Sequence, residues 1–148
     1  GDLRALATAG LQRAYLGLET GHEPLLQRLS KPARVQENVE AVARLRAAGL
    51  RVGIIVLLGL GGTSWAEAHE RDTVESLRRM DLGAGDIVYF SPLIAHDELA
   101  YARQAANRQW GRMDMLAMRQ QQQRMVTALD PQPGAPLTSI YDIRDFVY

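Results

Sequence analysis

The chain of 148 residues contains no cysteine. That absence excludes disulfides and thiolate metal sites built from this chain. A charge excess is missing as well: seventeen Lys and Arg balance seventeen Asp and Glu, so no net field exists to gather nucleic acid, an acidic substrate or an anionic membrane. Long apolar runs are also lacking. The longest, residues 52–60, falls far short of the ~20 residues that span a bilayer. The opening residues Gly1-Asp2-Leu3-Arg4 have no signal-peptide character. These absences predict a cytoplasmic protein without a nucleic-acid or membrane partner. The length is that of one domain and below the roughly 200 residues or more of a closed α/β barrel, so a partial barrel is the economical expectation.

What the chain does have is a repeat. A helix closed by glycine and followed by an apolar or β-branched strand occurs three times. Gly10 precedes residues 13–18, Gly49 precedes 51–58, and Gly83 precedes 86–91. The glycines recur at intervals of roughly 35 to 40 residues, the length of one βα unit each, which predicts an α/β fold with parallel strands. Residues 52–58 are apolar without alternation. That pattern is expected where both faces of a parallel sheet are covered, and it makes this the central strand.

Between the strands, Val35, Val39, Val42 and Leu45 define one face of a helix that follows Pro32 and stops at Gly49. Ser64 and Glu67 form a capping-box pattern for the next helix, which runs to the neighbourhood of Gly83. Further helices are expected over 98–108 and 114–129. The second carries Met115, Met118, Met125 and Leu129 as a packing stripe, with Gln122 in the seam. Prolines 131, 133 and 136 then break the helix and form a linker. Residues 139–148 are rich in β-formers and are expected to add a last strand or an extended clamp. The resulting division is a partial α/β barrel over 1–112, a helix packed on it over 113–130, and a linker with an extended tail over 131–148.

Ligands of parallel α/β sheets bind at the carboxyl ends of the strands. Glu19 stands at such an end, ahead of Gly21. A carboxylate there accepts hydrogen bonds from an ammonium group or ribose hydroxyls; a turn-capping carboxylate is the alternative. The loop Gly59-Leu60-Gly61-Gly62-Thr63 follows the second strand, and glycine-rich turns before helices also cradle phosphates. Its details oppose that use. Ser64 stands where a dinucleotide fingerprint requires Gly or Ala, Asp86 opens the next strand instead of closing it, and the Gly-Lys-Ser/Thr ending of a phosphate loop is absent. The third strand ends Tyr89-Phe90-Ser91-Pro92 at the same edge. His22 and His96 follow strands, near Glu19 and Asp97, but no close ligand pairing supports a metal site. His69 and Asp72 share a helix face and are expected to fix that helix to its neighbours.

The stretch Tyr15-Leu16-Gly17-Leu18-Glu19-Thr20-Gly21-His22-Glu23-Pro24-Leu25-Leu26, followed by Val56-Leu57-Leu58-Gly59-Leu60-Gly61-Gly62-Thr63, resembles the middle of radical S-adenosylmethionine enzymes. There, a strand ending of the Gly-Leu-Glu-Ser-Gly type and a second ending in Leu-Gly-Leu-Pro-Gly build one wall of the cofactor site. Thr20 replaces the more usual Ser and keeps the hydroxyl. The similarity runs from the helix before Tyr15 to about Tyr101, and the segment Tyr141-Asp142-Ile143-Arg144-Asp145-Phe146 is also similar to the end of uncharacterised members.

On the family's six-stranded partial barrel the three strands would be the fourth to sixth. The resemblance implies S-adenosylmethionine as cofactor, cleaved reductively to a 5'-deoxyadenosyl radical, with Glu19, Thr20, Lys31, Gly59, Gly61, Phe90 and Ser91 as cofactor-binding residues. Lys31 would approach the cofactor's carboxylate, and Phe90 or its neighbours would cover the adenine ring. The family's [4Fe-4S] cluster needs a Cys-x3-Cys-x2-Cys loop. The resemblance therefore implies that this chain is the C-terminal part of such an enzyme, inactive alone. Its partner would be an N-terminal half, or a second copy joined through the open sheet edge. A non-catalytic self-associating α/β module and, more weakly, a small phosphate-binding domain are the alternatives. The substrate is not legible.

Overall fold

A computed structural model describes residues 2–29, 33–93 and 110–140. Lys31, Pro32, His96, Asp97, the helix expected over 98–108 and the segment from Tyr141 onward lie outside the described residues. The elements run α1 (Leu3–Thr8), β1 (Arg13–Glu19), α2 (Glu23–Leu26), α3 (Val35–Ala47), β2 (Arg51–Leu58), α4 (Gly62–Arg79), β3 (Ile87–Pro92), α5 (Met115–Leu129) and β4 (Leu137–Ile140). The fold is α/β with one parallel sheet in the order β1-β2-β3-β4, compatible with a partial parallel barrel. Three of these strands were expected. The fourth starts at Leu137, two residues before the stretch predicted to be extended, and is tied in where the Leu137 N–H donates to Asp86 O at 3.1 Å.

Right-handed crossovers between strands taken in sequence order put the connecting helices α2 to α5 on the same face of the sheet. Burial follows this rule. Val52, Ile54, Val56 and Leu58 of β2 are wholly buried and join Leu18, Val42, Leu77, Phe90, Met118 and Met125 in one core. The alternate residues Ile55 and Leu57 are only half-buried, and Tyr15 on the neighbouring strand is exposed. This corrects the expectation of a sheet covered on both faces, as far as the described residues go. An inward barrel face is apolar too, so β2 reads as a continuous apolar run although helices cover one side of it.

Two helix details also differ from expectation. Helix α4 starts at Gly62 behind a left-handed Gly61 (φ 79°), which leaves Ser64 inside the first turn and not at the cap. In α5 the buried positions are Met118, Gln121 and Met125, whereas Met115 is exposed. Gln121, not Gln122, therefore occupies the seam, because its oxygen has a backbone donor to satisfy there. Asp86 has a further role at the start of β3. Its buried carboxylate accepts the N–H of Val52 and that of Gly83, both at 2.9 Å, with Arg46 Nε at 3.4 Å. It thereby sets β3 against β2.

Candidate functional site at the carboxyl ends of the strands

The register of the sheet aligns Glu19 with Val56 and Val56 with Phe90 in one row across three strands, with Ser91 one step beyond. The β1–β2 ladder shifts between Gly17 and Glu19, so Leu18 is an extra residue in β1. Glu19 itself is buried and lies in the left-handed region at φ 66°. Non-glycine residues reach that region at a cost of about 1–3 kcal/mol, and surrounding contacts must hold them there.

Those contacts come from α4. Thr20 is wholly buried; its Oγ1 lies 2.7 Å from His69 Nδ1 and accepts the His22 N–H at 3.0 Å. The Gly21 N–H donates to Thr73 Oγ1 at 2.9 Å. A Cβ on Gly21 would lie 2.3 Å from Asp72 O, so only glycine permits this close approach. His69 Nε2 lies 2.7 Å from Leu57 O. A carbonyl only accepts, so Nε2 carries the proton and Nδ1 accepts from the Thr20 hydroxyl. Burial pushes the His69 pKa from 6.5 to about 4, outweighing the opposite pull of the Leu57 carbonyl and Glu70. The ring is neutral at ordinary pH. His69 and Asp72 therefore do fix α4 to its neighbours.

Outside this network, Asp72 Oδ2 meets His22 Nδ1 at 2.6 Å and Oδ1 accepts from Arg71 Nε at 2.9 Å. Burial raises the Asp72 pKa, but hydrogen bonds from Arg71 and His22 outweigh it and the net direction is downward. Beside His22, the Arg28 guanidinium lies over both Trp65 and Trp110 at 5.4 and 5.9 Å, and the two indoles meet edge to face. With Leu25 and Leu60 they form a second apolar cluster at this end of the sheet.

The glycine loop is used by the protein's own packing. The Gly59 N–H donates to Gln121 Oε1 at 2.8 Å. A Cβ on Gly59 would meet Met118 Sδ at 2.9 Å, and one on Gly61 would meet Trp65 Cβ at 2.4 Å. The first N–H groups of α4 are already engaged: Gly62 with Gly59 O at 3.0 Å, Thr63 with Gly111 O and Ser64 with Trp110 O, both at 2.9 Å. None of these three donors is left for a phosphate, which counts against a phosphate cradle at the start of α4.

Of the residues expected from the sequence, Glu19, Thr20, Gly59, Gly61, Phe90 and Ser91 all come to the same edge of the sheet. Phe90 is wholly buried in the core and Thr20 lies beneath the surface. Sequence reasoning missed Thr73, Gln121 and the Trp65–Arg28–Trp110 stack, whose partners lie far along the chain. Among the described residues no group of three or more His, Cys, Asp or Glu side chains could hold a metal ion. With no cysteine in the chain, its own residues do not fit as ligands of a [4Fe-4S] cluster. No helix among the described residues is long and apolar enough to cross a membrane.

No model of a known protein family matches the chain. The chain is 28% identical over 113 residues to the GTP 3',8-cyclase of Erythrobacter litoralis (strain HTCC2594), a radical S-adenosylmethionine enzyme. The match takes in 70% of this chain and 34% of that protein, so the chain spans about a third of its relative's length. This distant similarity supports a relationship to the radical S-adenosylmethionine superfamily and nothing narrower.

Proposed function

We propose that the chain forms the S-adenosylmethionine-binding wall of a radical enzyme, its β1 to β3 standing for the fourth to sixth strands of a partial barrel. One observation carries this reading most directly. A buried carboxylate, Glu19, is held in a left-handed conformation at the carboxyl end of a parallel, sequentially ordered sheet. The distant similarity to a radical S-adenosylmethionine enzyme supports the same assignment.

The donor set suits the organic cofactor. Glu19 accepts hydrogen bonds from ammonium or ribose hydroxyls, Ser91 offers a hydroxyl in the adjoining row, and Lys31, outside the described residues, would supply a positive charge for the cofactor's carboxylate. Gly59 and Gly61 shape the loop between them. Phe90 and Thr20 act from below, by supporting the backbone that touches the ligand. Bound S-adenosylmethionine supplies the radical chemistry only together with an iron–sulfur cluster, which a segment other than this chain must ligate. The test is calorimetric titration of S-adenosylmethionine into anaerobically reconstituted full-length protein. Glu19→Ala is expected to weaken binding at least tenfold, the loss of one charge-assisted contact. Equal affinity of the two proteins would end the proposal.

A second reading, a self-associating α/β module, draws on the half-exposed face of Ile55 and Leu57 and on exposed Tyr15. Sedimentation showing a stable dimer, with no change in melting temperature on adding S-adenosylmethionine, would favour it.

A further inference from the structure

We propose that His69 is a positioning residue for Glu19, acting through the hydroxyl of Thr20; the inference rests on the S-adenosylmethionine reading above. The shifted register ends the β1–β2 ladder at the Glu19–Val56 pair, so Leu57 lies beyond it. His69 meets Leu57 O with one ring nitrogen and Thr20 Oγ1 with the other, both at 2.7 Å. One wholly buried imidazole thus bridges the ends of two strands from a helix.

The hydroxyl proton of Thr20 is committed within the protein. Its hydroxyl donates to His69 and accepts from the His22 N–H, while its own N–H donates to Leu18 O at 2.8 Å. This closes a tight turn around Glu19 and keeps its backbone at φ 66°. An apolar ring at position 69 would fill a similar volume but leave the Leu57 carbonyl without the imidazole N–H and the Thr20 hydroxyl proton without its acceptor, which favours relaxation of the turn. The hydroxyl that matches the family's strand ending therefore serves the fold, and through it the aim of the carboxylate.

The test is a set of variants in the full-length, reconstituted protein, titrated calorimetrically with S-adenosylmethionine. Thr20→Val keeps volume and removes the hydroxyl; it is expected to weaken binding about tenfold, and His69→Phe by as much. Thr20→Ser, which restores the hydroxyl, is expected to bind as the parent does. In a Glu19→Ala background Thr20→Val is expected to change nothing further, since the residue being aimed is gone. If His69→Phe does not fold, the Thr20 variants decide the matter. A Thr20→Val protein that melts earlier but binds with parental affinity overturns the inference while the function reading survives. Losses that add independently of Glu19 overturn it too. Unchanged affinity in Glu19→Ala alone overturns the function reading and the inference with it.

Discussion

His69 makes the pH dependence of stability a sharp test of the network around Glu19. Its pKa falls from 6.5 to about 4 because burial disfavours the imidazolium. The group is a base whose folded pKa lies below its unfolded one, so the unfolded chain binds more protons in the window between these values. Stability therefore rises with pH there. The His69 contribution is complete above about pH 6.5 and is lost as pH falls toward 4. The full difference corresponds to on the order of 3 kcal/mol, and about 2 kcal/mol of it is gone at pH 5. That is a large share of the roughly 5–15 kcal/mol by which a domain is stable.

The groups that face the ring set the margins. Desolvation is foremost, the Leu57 carbonyl and Glu70 oppose it, and His22 adds to it. The assay is urea unfolding at pH 7, 6 and 5 for the parent and for His69→Gln, which keeps a donor and an acceptor but does not titrate. Asp72 and the other carboxylates contribute to both proteins, so the difference isolates His69. The parent is expected to lose about 2 kcal/mol more than the variant between pH 7 and 5. Parallel pH profiles would show that position 69 is not a buried neutral imidazole in solution and would refute the network.

Asp86→Ala strands the Val52 and Gly83 N–H groups that the carboxylate now accepts at 2.9 Å each. It is expected to cost about 3 kcal/mol or more, read as a fall in the urea midpoint; Asp86→Asn, which keeps one acceptor, should cost about half. Gly62→Ala would place a Cβ 1.7 Å from Gly111 O at φ 61°, and a loss of at least about 2 kcal/mol is expected. Gly134→Ala, at φ 88° with nothing within 4 Å, should lose only about 1 kcal/mol of backbone strain by the same measurement.

Strand positions were the most legible part of the sequence. The glycine before each strand marked its start, and the predicted bounds of 51–58 coincide with β2. Glu19 was legible as a strand-end carboxylate for the same reason. Its left-handed conformation was not, since nothing local distinguishes Leu18 as the extra residue of a bulge. The bonds that hold the bulge join Thr20 to His69 and Gly21 to Thr73, 49 and 52 residues apart. Helix starts failed where tertiary bonds replaced local ones. The Ser64 N–H is satisfied by Trp110 O, so the capping box written around Ser64 was not needed. Gln121 displaced Gln122 from the seam because the Gly59 N–H required an acceptor 62 residues away.

The covering of the sheet bears most directly on function. A doubly wound sheet reverses its strand order and binds ligands at the point of reversal. Among the described residues the order runs β1-β2-β3-β4 without reversal, so no such crevice arises among them. The proposed site accordingly follows the barrel rule, along the carboxyl ends and the inward face. That face is furnished accordingly. Tyr15 and Tyr89 approach across Gly53 with ring centroids 6.0 Å apart, and a Cβ on Gly53 would meet the Tyr15 ring at 2.6 Å. Tyr15 nevertheless remains 59% exposed. An apolar inner wall with a held carboxylate at its rim suits one side of the proposed cofactor site. On the proposed S-adenosylmethionine reading the chain would supply that side, and the cluster would come from whatever closes over it.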